Sequence, residues 1–587
     1  MQVKNRGKDF PKSERILLLL LVTMVGGLWL TGFTSYYFQN PDAYDYAQMG
    51  REILTGNGFR TLQIFPRHVF FMAEQGYLNL SNGHWPNLYR YPVPTLANAF
   101  FQFFVDDIVQ AAIIQSGTWF LMSVPLLFFL ARKLTNTSVA FLTILVYLSD
   151  SSVWISSYSG MTESLSTFLV LLVFFIAFIE SGFHGLKWFL LGVVCGISFI
   201  TRTQLAYLLV FALIIPWAKT KSITRLQGTI LVIMGFLAII TPWATRNYIL
   251  TSNPLFSFST TRNLVLYALP SHSDIEMQLH APITTSDIMV KYGTQISQKV
   301  YDNIWSIIKK PVRLIGSEKY AYFAGFIFVT TIATTFITTN KVTIQARQSF
   351  PQSLWRNFFA IEKTSSAQNN ILPEYLQNKN YRLLKWSVLG IVLLNFLIIS
   401  LAFYRSRFYQ MFNPLIAIIG VQEFLLIINL IFKQKLKWLK YGVIIAAIFG
   451  FVFAFIVTIR KTLTVDDRAM IVDQASYQLL KKYVSPKNLM VANNSHKTAL
   501  FTEIPSLRLP ADPYELLEID ENYVAVDYVL LSAYIVNADP NQITQDVWEN
   551  YANYAEFIQT EVFLQKFEHI TQLPDGSMLY KKIRLNP

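Results

Sequence analysis

Charge is scarce in this sequence. Asp, Glu, Lys and Arg make up 14% of its 587 residues, while 53% are hydrophobic and 15% aromatic. Soluble domains carry about 25% charged residues, so an ordinary soluble protein is excluded and an integral membrane protein is indicated. Cysteine is nearly absent: Cys195 is the only one, and it lies in an apolar stretch. That excludes an intramolecular disulfide and a cysteine zinc site. The histidines are scattered and form no HxxxH pair, so a histidine metal centre is not expected. Nucleotide-binding glycine loops are missing too, with no GxGxxG and no GxxxxGK[ST]. No repeat of fixed period is visible, which weakens a secondary-transporter reading built on internal repeats.

Acidic residues are outnumbered 36 to 49 by basic ones, giving a net charge of +13. The excess falls in short clusters between apolar runs, such as KQKLKWLK at 433–440. It reads as topology signals and anionic-lipid contacts, not as the aromatic-interleaved basic face that nucleic acid requires.

A bilayer span takes about 20 apolar residues, and that test places eleven, at 16–35, 108–131, 138–155, 164–181, 187–200, 204–218, 226–243, 320–338, 384–404, 410–432 and 441–459. The runs at 187–200 and 204–218 are short and read equally as one hairpin broken by TRTQ. Lys4, Arg6, Lys8, Lys12 and Arg15 precede the first run, which has no cleavage site and reads as an uncleaved anchor. Arg132, Lys133, Lys219, Lys221, Arg225 and the 433–440 cluster fall on the same side. The N-terminus is therefore expected in the cytoplasm, within the plasma (inner) membrane. Loops 36–107 and 244–319 and the C-terminus then lie outside, and 339–383 lies in the cytoplasm. Residues 460–587 read as a separate extracytoplasmic α/β domain following a membrane domain at 1–459. It has an amphipathic helix around RAMIVDQASYQLLKKYV and strands in NLMVANN, YVAVDYVLLSA and SMLYKKI.

The candidate chemistry begins in QNPDAYDYAQMGREILTGNGF at 39–59. Asn40 can cap, Pro41 suits the first helical position and Gly56 the C-terminal cap. Ala43, Tyr46, Ala47, Gly50, Ile53 and Leu54 form an apolar stripe, with Asp42 and Asp45 off it near the helix start. Acids there are favoured by the helix dipole whatever their role, and the same dipole helps keep a proton acceptor ionised. Two carboxylates at this spacing could also hold a divalent cation, though two ligands are a weak metal signal. Glu163, in SSYSGMTESLSTF, is a second acid at the outer end of a span. Arg90, Arg202, Arg246 and Arg407 are placed at the same depth, against the inward bias of positive charge. Each alone could snorkel to headgroups; together they suit a phosphate at the membrane surface.

DAYDYAQMGREIL resembles the signature that follows the first span in polyprenyl-phosphate-sugar-dependent glycosyltransferases of the GT-C class, among them protein O-mannosyltransferases and lipid A aminoarabinose transferase. Asp42, Tyr46, Ala47, Arg51 and Glu52 match it, and Ala43 stands where a second acid is usual. RYPVPTLANAFFQFF, GMTESLSTFLVLL, GISFITRTQL, TPWATRNY and RSRFYQMFNPLIAIIG are similar to further landmarks in the same order. The resemblance covers about residues 14–460 and implies a GT-C fold of about eleven spans. It implies an inverting glycosyltransferase that moves a sugar from a lipid-linked polyprenyl-phosphate donor to an acceptor lipid, glycan or protein. Asp42 would be the general base and Glu163 a second catalytic residue that helps position acceptor or sugar, with Asp45, Tyr46 and His84 as further candidates on the acceptor or sugar side. Arg407, Arg90, Arg202 and Arg246 would face the donor phosphate. No cofactor is required, and a divalent cation is not indicated. A pyrophosphate-dependent glycopolymer polymerase or ligase and a lipid-linked-sugar transporter are the alternatives.

Overall fold

The computed structural model describes residues 11–33, 38, 40–77, 83–180, 183–219, 222–266, 268, 275–309, 379–401, 410–432, 437–463, 468–536 and 549–583. The expected span 320–338, nearly all of the 339–383 loop and Arg407 lie outside the described residues.

Long apolar runs close their backbone hydrogen bonds internally, as a bilayer requires, and they build the first part of the chain. Helix α1 (Lys12–Phe33) leads to α2 (Pro41–Leu54), β1 (Arg60–Thr61), β2 (Gln63–Ile64), α3 (Pro66–Glu74), β3 (Trp85–Pro86) and α4 (Pro92–Gln102). Then come α5 (Ile108–Leu134), α6 (Thr137–Leu148), α7 (Ser151–Tyr158), α8 (Glu163–Phe178), α9 (His184–Phe199), α10 (Tyr207–Lys219) and α11 (Ser222–Thr251). Among the described residues six helices are long and apolar enough to cross a membrane, and the bent pair α6/α7 makes up to seven. Helices α8, α9 and α10 are shorter and apolar. The run expected as one straight span at 138–155 instead bends by 68°. Asp150 causes the break: its carboxylate accepts from the Ser152 amide at 3.0 Å and starts α7 afresh.

Helices α9 and α11 meet backbone to backbone. A Cβ added at Gly192 would overlap the Val232 carbonyl, and one at Gly235 the Phe189 carbonyl. Small residues permit such approach between membrane helices. Gly192→Leu is accordingly expected to force the two helices apart and cost at least about 1–3 kcal/mol, read as a lowered melting temperature of the detergent-solubilised protein.

The chain continues through α12 (Phe258–Val265), α13 (Thr285–Lys309), α14 (Lys379–Leu401), α15 (Asn413–Ile431) and α16 (Lys437–Leu463). It ends with α17 (Arg468–Tyr483), β4 (Met490–Ala492), α18 (Ser495–Thr502), β5 (Ser506–Arg508), α19 (Pro513–Asn522), β6 (Tyr528–Leu531), α20 (Glu549–Phe557), β7 (Phe567–Gln572) and β8 (Met578–Lys582), with two single-turn helices around α20. Six of the strands form one sheet in the order β2-β5-β4-β6-β8-β7, and β1 and β3 pair separately. Strands β2, β5, β4 and β6 run parallel, whereas β8 pairs antiparallel with both β6 and β7. Three of these strands fall in the expected runs, and β5 and β7 are additional.

Strand β2 comes from the loop after the first span, so the sheet draws on more than residues 460–587. Gln63 and Ile64 pair with Ser506 and Leu507, and the Ser506 amide donates to the Leu62 carbonyl at 2.7 Å. Ile64, Trp85, Phe258, Leu279, Val491, Leu507 and Val529 share one buried core, which stitches both long loops to the C-terminal segment.

His68 lies inside this core, fully buried, with its ring 5.6 Å from that of Phe258 and 5.9 Å from those of Trp85 and Tyr89. Burial, reinforced by the Arg246 charge, pushes it down from 6.5 to about 3. Its unfolded form therefore binds a proton below pH 6.5 that the folded form refuses, and stability falls as the pH drops through that window. The expected slope is about 1.4 kcal/mol per pH unit. His68→Phe should flatten the acid limb of melting temperature against pH between 6.5 and 4; an unchanged limb would exonerate His68.

Candidate active site

Helix α2 begins as its sequence dictates: Asn40 is extended, its side chain accepts from the Asp42 amide at 3.3 Å, and Pro41 takes the first helical position. The helix is buried well beyond its apolar stripe, with Tyr44, Asp45, Gln48 and Glu52 also enclosed, because it is packed between α4 and α18. A Cβ at Gly50 would lie 2.9 Å from Gln102 Nε2 and 3.0 Å from the Ala99 amide of α4. On the other side Arg51 donates to the Leu500 and Ala499 carbonyls at 2.8 and 3.0 Å, satisfying the C-terminal end of α18. Glu52 accepts from Asn57 at 2.9 Å and meets His84 Nδ1 at 2.5 Å. Arg51 and Glu52, two of the residues that carry the resemblance, thus fix the pose of α2.

That pose turns Asp42, Asp45 and Tyr46 into a cavity of about 380 Å³. Arg90 faces them across it. Its Nη2 lies 2.8 Å from Asp42 Oδ1 and 2.5 Å from Asp45 Oδ2, and its Nε donates to Asp45 Oδ2 at 3.0 Å. The guanidinium also sits 5.5 Å from the centre of the Tyr46 ring. Asn87 holds the turn that presents Arg90, accepting from the Tyr89 and Arg90 amides at 2.8 and 3.1 Å.

The two aspartates are made unequal by burial. Desolvation raises Asp45 above the usual carboxylate range although the Arg90 charge pulls the other way; its second oxygen is buried and accepts no hydrogen bond among the described residues. Asp42 keeps 20% of its side chain exposed, against 6% for Asp45. Desolvation likewise raises the Tyr46 hydroxyl to about 12. Burial opposes the charge on Arg90, but Asp42 and Asp45 outweigh it and hold the guanidinium well above its ordinary value.

The remaining walls bring further pairs. At the ends of α9 and α10, Thr201, Arg202, Thr203 and Gln204 line the cavity, and Arg202 Nη2 donates to Glu163 Oε1, in the first turn of α8, at 3.2 Å. From the second long loop come Arg262 and Glu276, 3.6 Å apart. Arg67 sets that wall by donating to Thr261 at 2.5 Å and stacking over Phe258. The sheet closes the cavity with Gln63, Phe65, His496 and Arg508.

Of the residues expected from sequence, Asp42, Asp45, Tyr46, Arg90 and Arg202 line one cavity, with Glu163 paired to its rim. Arg246 and His84 do not line it. Arg246 stacks on Phe59 and Trp243 and donates to the Phe59 carbonyl at 3.3 Å, while His84 is spent on Glu52. Arg262, Glu276, His496 and Arg508 were not anticipated. Nothing in their local sequence marks them, since each reaches the cavity only through tertiary packing. Among the described residues no group of three His, Cys, Asp or Glu could hold a metal ion.

No protein-family model matches the chain, and no curated protein matches it by sequence. Among solved structures it is similar to the oligosaccharyltransferase AglB from Archaeoglobus fulgidus in complex with an inhibitory peptide and a dolichol-phosphate. The TM-score is 0.50 at 8% identity, over 98% of this chain and 75% of that one. The apo form of that protein gives 0.50 at 8% identity over 97% and 74%. ArnT from Cupriavidus metallidurans bound to undecaprenyl phosphate aligns with a TM-score of 0.44 at 10% identity, over 98% of this chain and 99% of that one. AglB and ArnT are GT-C glycosyltransferases. At such identities the likeness concerns the fold, and the likeness to AglB carries it: an integral membrane protein of the GT-C fold, as the resemblance implied.

Proposed function

We propose that this chain is an inverting glycosyltransferase that moves a sugar from a polyprenyl-phosphate donor to an acceptor at the outer face of the plasma membrane, with Asp42 as general base. One observation carries the reading: two carboxylates of unequal burial share a single arginine in a cavity that begins where α9 and α10 meet. A lipid-linked phosphate stays at the level of the span ends, where Arg202 lies, and arginine's planar donors suit it. AglB, of similar fold, binds a dolichol-phosphate. The N-terminus is then cytoplasmic and the sheet extracytoplasmic.

The donor phosphate competes with Asp42 and Asp45 for Arg90. When Arg90 turns to the phosphate, Asp42 is left facing the acceptor, in a first turn whose dipole favours its ionised form. Asp42 takes the proton as the acceptor oxygen or nitrogen attacks the anomeric carbon. The bond from that carbon to the phosphate oxygen breaks, and its electron pair leaves with polyprenyl phosphate, stabilised by the arginines. Attack opposite the leaving group inverts the anomeric centre. Asp45, deeper and drawn towards its neutral form, positions Arg90.

The test is incubation of the purified protein in proteoliposomes with radiolabelled polyprenyl-phosphate sugars and, separately, their pyrophosphate-linked counterparts. Release of polyprenyl phosphate with label on an acceptor is expected. Consumption of the pyrophosphate donor alone would establish the polymerase or ligase alternative, and flux of the intact lipid-linked sugar without bond cleavage would make the chain a transporter.

A further inference from the structure

The cavity wall formed by the sheet has its own chemistry. Strands β2, β5 and β4 end against the cavity: Phe65 follows β2, Arg508 closes β5, and His496 comes shortly after β4. Open α/β sheets bind ligands beyond the carboxyl ends of parallel strands, usually in the crevice where successive connections leave to opposite sides. Here that crevice lies between β4 and β6, since the chain passes from β4 to β5 on one side and returns to β6 on the other. It is filled by Asn493, whose Nδ2 donates to Ser532 Oγ at 3.0 Å and Tyr534 OH at 2.6 Å, and whose Oδ1 accepts from the Ser532 amide at 3.1 Å. The open space is one strand over, at Arg508.

Arg508 shares the cavity with Asp42, Asp45 and Glu276 as well as with Arg90, Arg202 and Arg262, and its charge acts on both Asp45 and His496. His496 is held neutral by burial first and then by Arg508, Lys497 and Arg90, and Asp42 alone acts in the opposite sense. The imidazole is fixed by the Tyr44 ring, with centroids 5.2 Å apart, leaving it a neutral hydrogen-bonding group beside a guanidinium. At about 380 Å³ the cavity is near the lower end of small-molecule sites, so only the terminal unit of a larger molecule enters with the sugar.

We propose that Arg508, with His496 beside it, forms a subsite for an anionic group, a phosphate or a carboxylate, carried by the acceptor close to its nucleophilic atom. The assignment to the acceptor rests on the transfer reading above. Thr201–Gln204 and the sheet residues are separate parts of one cavity lining. With the leaving phosphate held near Arg202 by its lipid, in-line attack requires the acceptor to enter from elsewhere on that lining, and the subsite places it at the part the sheet supplies. Arginine rather than lysine suits this task because its planar fork grips two oxygens at once.

The test uses the full chain in nanodiscs and two probes measured by calorimetry, sn-glycerol 1-phosphate for the sheet wall and farnesyl phosphate for the span ends. Both are expected to bind together. Arg508→Gln should weaken sn-glycerol 1-phosphate tenfold or more and farnesyl phosphate less than twofold, the second figure also reporting that the variant is folded. Arg508→Lys should restore part of the loss, and it carries the comparison with wild type should Arg508→Gln fail to fold. No binding of sn-glycerol 1-phosphate, equal binding to wild type and variant, or one-for-one displacement by farnesyl phosphate would overturn the subsite. Loss of sn-glycerol 1-phosphate in Arg508→Gln from a protein that never binds farnesyl phosphate would uphold the subsite while removing the polyprenyl-phosphate donor.

Discussion

Asp42→Asn is expected to slow sugar transfer by about 10²–10⁴, the usual contribution of a positioned general base, with donor binding and melting temperature close to wild type. The substitution keeps the shape of the side chain and an oxygen that can accept from Arg90 Nη2, now 2.8 Å from Asp42 Oδ1. It keeps the Asn40 cap as well, because Asn40 bonds to the backbone amide of residue 42. What it removes is the ability to take a proton. The loss should therefore fall on kcat rather than on the KM of the donor, measured as label transferred per enzyme in proteoliposomes. Transfer within about threefold of wild type, well short of a general base's contribution, would strike Asp42 from the mechanism and pass the role to another group in the cavity.

The first turn of α2 was legible because its signals are local: a cap, a proline at the first helical position and acids at the positive end of a helix dipole. The apolar runs were legible for the same reason, and the six long apolar helices among the described residues fall on runs read from sequence. The break at Asp150 shows the limit of counting apolar residues, since one capping side chain, in the short polar step Ser149–Ser152, restarts a helix inside a run that passes the length test. The sheet shows another. Strand β2 is two residues long, too short for any alternation to register, yet it joins the first long loop to the C-terminal segment. Arg51 and Glu52 show a third limit. Their presence in the motif was visible, but their work is done on partners such as the Leu500 carbonyl and His84, which only the folded chain brings near. The sequence could place arginines at one depth; it could not separate Arg90 and Arg202, which line the cavity, from Arg246, which stacks on Phe59 and Trp243.

Arg90→Met is expected to be among the most destabilising single changes at this site, by about 3–5 kcal/mol, because removing one partner of a buried ion pair strands the other. Asp45 is the carboxylate left behind, 5% exposed and already raised by desolvation. Without the guanidinium that opposes this shift, its folded-state pKa rises further. A group raised in this way contributes stability below its unfolded pKa, near 3.8, and loses it as the pH rises through the folded value. The deficit of Arg90→Met relative to wild type should thus shrink on acidification and be largest near neutrality, and Asp45→Asn added to Arg90→Met should recover much of it at pH 7. Thermal melts of the two variants and wild type at pH 5 and pH 7 read this directly. A deficit independent of pH, or a double variant no more stable than Arg90→Met, would mean that Arg90 acts through packing against Tyr46 and not through the aspartates. Such coupling would show one arginine keeping two carboxylates folded, and under the proposed mechanism a donor phosphate would release Asp42 by supplying the negative charge that Arg90 otherwise takes from the protein.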